Sequence, residues 1–380
     1  MAGPIAESKP AGAIFKLRKA LSEGGPGLVV RRAIRLLVHR LTRGMPLRRS
    51  LAAAQARLAE RLGGDDWKGL ASQALLLLDA HEPRDALLLL AEPRARSNRS
   101  LRFLADTAEF EESHKGRSIE SLRSSLVDSE NRISVVVPYY NHLPYLEMLL
   151  HGLALQTYRK FEVVVIDDRS DPQHDPLPTI ATWSRDLDIK YERLQRKGFT
   201  SGARQRGAQL ATGDILSFID ADDVPHAQRL QCVNYLFASR PIVHLTHGFE
   251  TFTGCWNDRD RELFSDVEEI DRAVVDDRTL RALMRENVAE GRWADGSWNH
   301  GSYGMTAGHG TQAGHLSYVR ALAEETPWRG GKDAIFSLCE DYDMNMQLLF
   351  RYRGTAHVDL PLSGYRVGST THSGQMKGLY

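Results

Sequence analysis

Three short apolar runs, Ile133-Ser-Val-Val-Val137, Phe161-Glu-Val-Val-Val-Ile166 and Ile215-Leu-Ser-Phe-Ile219, each stop abruptly at a polar cluster. Runs of this length, rich in β-branched residues, read as buried strands. Between the first two, Leu143 to Gln156 carries helical spacing; a further strand is expected at Ile189 to Leu194 and a helix from Ser201 to Ala211. Strand, helix, strand in repetition builds parallel pairs. The expected fold class is therefore α/β, an open, mostly parallel sheet flanked by helices, with an N-terminal helical accessory region.

In such sheets ligands bind beyond the carboxyl ends of the strands. Here those ends are Pro138-Tyr-Tyr-Asn141, Asp167-Asp-Arg-Ser170 and Asp220-Ala-Asp222. Taken singly, a strand-ending aspartate is a turn former or a cap; three such clusters on one edge describe a site. No G-x-G-x-x-G follows the first strand and no G-x-x-x-x-G-K-[ST] occurs, so dinucleotide and P-loop readings lose their phosphate cradle. A divalent ion held by Asp220 and Asp222 would supply the missing positive charge. Carboxylate oxygens suit Mn²⁺ or Mg²⁺, which keep positions open for diphosphate oxygens and stabilise a departing nucleotide.

In their order and spacing these residues resemble the family 2 inverting glycosyltransferases of the GT-A fold. The resemblance runs from about Arg132 to Arg366 through Ile133-Ser-Val-Val-Val-Pro-Tyr-Tyr-Asn141, Val163-Val-Val-Ile-Asp-Asp-Arg-Ser170, Ser201-Gly-Ala-Arg-Gln-Arg-Gly-Ala208 and Ala211-Thr-Gly-Asp-Ile-Leu-Ser-Phe-Ile-Asp-Ala-Asp-Asp223. It implies a nucleotide-sugar donor, by analogy UDP-linked. Within that donor set it implies that Tyr140 stacks on the base, Asp167 accepts from the base ring and Arg204 lies near the nucleotide, with Pro138 and Asp168 alongside. It further implies that Asp220 meets ribose or metal and that Asp222 ligates the metal.

Cys339-Glu-Asp-Tyr-Asp343 opens an apolar-periodic helix and is similar to the family's ED motif. A carboxylate there would take the proton from an acceptor hydroxyl, with Asp341 the first choice as base and Glu340 the second. Acidic residues also favour a helix N-terminus through its dipole, so a purely structural reading stays open. Gly301 to Arg320, with His309 and His315, departs from the family pattern, so acceptor contacts do not carry over. Tyr365-Arg366 is followed by Val367 and not by a histidine; His372 is a candidate third metal ligand. Trp293 and Trp298 either stack on a sugar or anchor a loop.

The net charge of zero conceals segregation: residues 1–50 hold 11 Lys/Arg against Glu7 and Glu23, which leaves 38 basic and 47 acidic residues, a net −9, for the rest. Val30, Ile34, Leu37 and Leu41 form one stripe and Arg31, Arg35 and His39 another, so the segment either lies on an anionic membrane surface or packs on the protein. Without interleaved aromatics it is not expected to bind nucleic acid. The expected organisation is a basic amphipathic segment (1–50), a helical accessory region (51–115), a linker (116–131), a GT-A domain (132–370) and a tail (371–380). Three scattered cysteines and no apolar run of spanning length point to a cytoplasmic protein, peripheral at the inner face of the plasma membrane if the basic helix binds lipid. The leading function is metal-dependent transfer of a sugar to a glycan or glycolipid acceptor in cell-surface polysaccharide or lipopolysaccharide synthesis. An inactive nucleotide-sugar-binding partner protein and a nucleotidyltransferase remain as alternatives. The latter wants a Gly-rich basic loop after the first strand, where Pro138-Tyr-Tyr-Asn141 stands.

Overall fold

The structure, a computed structural model, describes residues 70–71, 73–74, 77–78, 82–91, 98–114, 118–252, 274–290, 315–330, 340–352 and 354–366. The basic segment 1–50, Trp293, Trp298, His309 and His372 lie outside the described residues. The chain divides into two compact units, residues 1–86 and 87–380. In the first, the described residues between 70 and 78 are helical, with Ala71, Ala74 and Leu78 buried. Helix α1 (Pro83–Leu90) opens at Pro83, where the fixed φ of proline costs nothing.

The second unit starts with α2 (Arg99–Ser113) and the single turn α3 (Ile119–Leu122), capped by Ser118. The turn lies inside the expected linker. There the Arg123 guanidinium donates to the carbonyls of Ile242 and Phe237, fixing residues 119–123 to the main body.

The sheet then forms as strand and helix alternate: β1 (Ile133–Tyr139), α4 (Leu143–Ala154), β2 (Phe161–Asp167), α5 (Leu177–Trp183), β3 (Ile189–Arg193), α6 (Phe199–Leu210) and β4 (Ile215–Phe218). Strands β3, β2, β1 and β4 lie side by side in that order, all parallel. Strand β2 is buried along its whole length; its apolar run is broken only near its start by Glu162, whose carboxylate pairs with Lys190 and accepts from Ser134. Proline does not stop β1: β4 pairs only as far as Val136, so Pro138 lies where β2 is the one neighbour and no second ladder needs its missing N–H. Helix α6 approaches β1 so closely that a Cβ at Gly207 would collide with Val136.

Beyond β4 the sheet becomes mixed. After the short β5 (Val224–Pro225) come α7 (Arg229–Ser239), β6 (His244–Phe252), α8 (Asp277–Asn287), β7 (Val288–Glu290), β8 (Leu316–Val319), α9 (Glu340–Arg351) and β9 (Thr355–Arg366). Strand β8 is antiparallel to both β4 and β6, and β9 runs parallel to β6 and antiparallel to β5 and β7. Sequence periodicity missed most of this half, because its strands carry polar residues at buried positions: His244, Thr246, His247, Ser317, Thr355 and His357 are all buried.

Candidate active site

The carboxyl ends of β1, β2 and β4 form one edge, and three non-glycine residues there adopt left-handed backbone: Asn141 (φ 55°), Arg169 (φ 64°) and Phe199 (φ 56°). Side-chain bonds hold these turns. The Asn141 amide donates to Asp171 Oδ2 at 2.9 Å while its carbonyl accepts from the Asp171 N–H at 2.8 Å. Asp168, itself buried, accepts from the Gly198 N–H at 2.5 Å and so ties the β2 end to the entrance of α6.

Tyr140, just past Pro138, exposes 39% of its surface, and Lys197 Nζ sits 3.4 Å over its ring centroid. An exposed ring flanked by a cation at the strand edge is a stacking platform beside a phosphate-compatible charge. Asp167 is fully buried. Its Oδ1 accepts from the Ser170 N–H at 2.7 Å; its Oδ2 accepts from Arg193 Nη1 at 2.7 Å and Tyr191 Oη at 3.2 Å. In this geometry Asp167 holds the turn after β2 and orients Arg193.

The centre of the site is Arg204. Its guanidinium, on the buried face of α6, donates from Nη2 to Asp220 Oδ1 at 2.6 Å and from Nη1 to Glu340 Oε1 at 2.7 Å. Its charged end also lies 5.1 Å from the Trp328 ring centroid. Burial opposes the charge, but the carboxylates of Asp220, Glu340 and Asp341 outweigh it and hold the guanidinium above its usual range. The structure thus brings together the strand-end motif and the ED motif, which are 120 positions apart in sequence, through a side chain expected at the nucleotide.

Asp222 is half-buried. Burial pushes its carboxyl up, and the neighbouring Asp220 adds to the shift, against the opposing effects of His142 and Arg366. Asp223 is fully buried and pushed further up by burial, Asp222 and Asp220; its Oδ1 accepts from the Arg366 N–H at 3.0 Å, and its Oδ2 meets no hydrogen-bond partner among the described residues. The Arg366 guanidinium donates to the Asp222 carbonyl at 2.8 Å and lies 4.5 Å from the Tyr145 ring. Crowded carboxylates that burial and each other drive toward protonation are relieved by a cation, so the residues fit a divalent metal. Among the described residues no third His, Cys, Asp or Glu joins them in a ready-made cluster.

Glu340 and Asp341 stand in the first turn of α9, with Asp343 behind them. Asp343 is buried and accepts from Arg329 and Gln347, which makes it a structural residue. Sequence reasoning missed Lys197, Trp328 and the placement of His142 near Asp222. Lys197-Gly198 directly before a helix on the site edge was the available signal for the first; nothing in the sequence marked the other two.

Residues 134–280 match the family model described as "Glycosyl transferase family 2". Relatives include the amylovoran biosynthesis glycosyltransferase AmsB of Erwinia amylovora, 39% identical over 101 residues (26% of this chain, 33% of that protein). An uncharacterized glycosyltransferase of Nostoc is 31% identical over 32% of this chain and 38% of its own length. The chain thus aligns with less than half the length of these relatives. Among solved structures, the 1–349 fragment of S. aureus TarS in complex with UDP-GlcNAc is similar at 20% identity and a TM-score of 0.47, covering 63% of this chain and 60% of that one. The strand-edge motifs of residues 134–280, set on an open, mixed α/β sheet, thus lie in a region that matches the family 2 glycosyltransferases.

Proposed function

We propose that the protein is a metal-dependent inverting glycosyltransferase that moves a sugar from a UDP-linked donor to a hydroxyl of a glycan or glycolipid acceptor. The setting we favour is cell-surface polysaccharide or lipopolysaccharide synthesis; one relative is named for amylovoran biosynthesis. The observation that carries the reading is the convergence of Asp220 and Glu340 on the buried Arg204, which puts the aspartate-rich end of β4 next to a helix start rich in carboxylates.

Tyr140 offers its face to the base, with Asp167 and Asp168 shaping the pocket wall. Asp222 and Asp220 would hold Mn²⁺ or Mg²⁺, with His372 a candidate to complete the shell. When bound, that ion supplies positive charge to the diphosphate as it leaves. Glu340 is engaged by Arg204, and a carboxylate held by a guanidinium is a weak base. In this reading Asp341, the second carboxylate of the same helix start, takes the proton from the acceptor hydroxyl, with Glu340 the alternative.

Calorimetry with UDP-sugars and Mn²⁺, run beside a transfer assay, tests the division of labour. Asp341→Asn should bind donor as wild type does but lose transfer by roughly 10²-fold or more, the usual share of a positioned base. Asp222→Asn should lose metal-dependent donor binding while its melting temperature is kept. Normal turnover by Asp222→Asn, or indifference of the wild type to chelator, defeats the metal role. An active Asp341→Asn beside a dead Glu340→Gln moves the base by one residue.

A further inference from the structure

Helix α2 lies ahead of the region that matches the family, yet it is bonded to the helix that carries the ED motif. Asp106 Oδ2 accepts from Arg351 Nη2 at 2.7 Å, at the far end of α9. The same oxygen lies 3.7 Å from Arg329 Nη1. Arg329 in turn donates to both oxygens of the buried Asp343, from Nε at 2.8 Å and from Nη2 at 3.2 Å. Around this chain of charges, Phe110 of α2 packs edge-on against Tyr352 with ring centroids 5.6 Å apart, and the Arg351 guanidinium lies 4.9 Å from the Phe110 ring. The preceding residue, Trp328, lies against Arg204, and its backbone N–H donates to Gln205 Oε1 at 2.8 Å.

We infer that Asp106 is a positioning residue for the acceptor half of the site: through Arg329 and Arg351 it fixes the axial position and rotation of α9, and so the aim of Glu340 and Asp341. The physical reason is local. Arg329 and Arg351 have only 17% and 8% of their side chains exposed, so the charges on each side of α9 depend on protein partners more than on water. Asp106, at 38% exposure, forms an ion pair with each of them through the same oxygen. A weakened strut lets the first turn of α9 shift. A shift of about 1 Å is enough to spoil the alignment of a base, whereas the donor half, built on β1, β2 and β4, has no bond to Asp106.

The assignment of a base to α9 rests on the proposed function; the strut itself does not. Asp106→Asn and Asp106→Leu in the full chain should lower kcat about 2- to 30-fold, the span by which residues touching neither ligand modulate a site, while the donor dissociation constant stays within about twofold. Hydrogen exchange of residues 340–346 should speed up in both variants, with residues 133–139 unchanged. Asp106→Glu should recover part of both effects. In a double-mutant cycle with Arg329→Gln the losses should be less than additive. If exchange in 340–346 and kcat both match wild type, the inference is wrong. If donor affinity and exchange throughout the sheet change with them, Asp106 is only a global stabiliser and the inference is equally wrong. A wild type that neither binds nor turns over any nucleotide sugar would sink the functional reading, and the exchange experiment would still decide the strut.

Discussion

Replacing Arg204 by methionine tests the central feature of the site. The substitution keeps most of the side-chain volume on α6 but deletes a charge whose side chain is 3% exposed and bonded to two carboxylates. At an effective dielectric near 20, each contact is a gross attraction of about 4 kcal/mol. Desolvation of the guanidinium cancels much of this in the intact protein. Once the cation is gone, however, Asp220, Glu340 and Asp341 lose the guanidinium charge they share. The Asp220 and Glu340 side chains are 30% and 22% exposed, so water compensates in part, and the expected loss is about 3–5 kcal/mol, the range for breaking a buried pair. For a domain of this size that corresponds to a fall in melting temperature of roughly 6–20 °C. Scanning calorimetry without metal gives the stability, and the same scan with Mn²⁺ should recover part of it, since the ion takes over as counter-charge to Asp220. Arg204→Lys should fall between the two, because one ammonium cannot fork to both carboxylates. A methionine variant with wild-type melting temperature and wild-type turnover would refute the claim that Arg204 joins the two halves of the site.

Acid should destabilise the protein in two stages. Burial lowers the His244 pKa from 6.5 to about 4, so its contribution is full above pH 6.5 and is lost as pH falls toward 4, about 2 kcal/mol of it by pH 5. Glu162 is lowered from 4.5 to about 2 because its bonds to Lys190, Ser134 and Thr212 outweigh burial; its contribution disappears only below about pH 5. Urea midpoints measured from pH 7 to pH 3 should fall throughout, and His244→Gln should flatten the stretch between pH 6.5 and 4. An unchanged slope in that variant removes His244 as the cause. For the basic N-terminus, deletion of residues 1–50 should leave donor binding intact but reduce sedimentation with anionic vesicles, and wild-type binding should weaken with salt. Equal vesicle binding by both proteins would favour the alternative in which the apolar stripe packs on the chain itself.

The first half of the fold was legible because its physics is local. A strand buried on both faces is mostly apolar, and β1, β2 and β4 write that pattern into the sequence, each with one polar interruption, Ser134, Glu162 and Ser217. Observed ends differ from the expected ones by a residue or two, most clearly at β1, which continues through Pro138 to Tyr139. Strands β6, β8 and β9 escaped detection because they satisfy buried polar side chains against one another. Thr246 Oγ1 meets His357 Nδ1 at 2.8 Å, and Ser317 Oγ donates to Ser217 Oγ at 2.9 Å across neighbouring strands. Each looks like loop chemistry until its partner, 100 or more residues away, is known.

The site shows the same division one level up. Asp220 and Asp222 were legible because a strand end fixes where they point, and Glu340 and Asp341 because a helix start does. What joins them was not. The resemblance places Arg204 near the nucleotide, but nothing local marks it as the link between the two motifs: its helix carries two arginines, and the neighbour Arg206 is an ordinary surface residue paired with Glu192. Only the packing of α6 on β1, so close at Gly207 that Val136 leaves no room for a Cβ, turns Arg204 inward while Arg206 faces solvent. Once inside, a guanidinium must find carboxylates, and the two it meets are Asp220 and Glu340. The position of the ED motif relative to the strand-end motif is therefore set by the requirement to neutralise one buried charge, and any substitution that frees Arg204 from burial should separate donor binding from transfer.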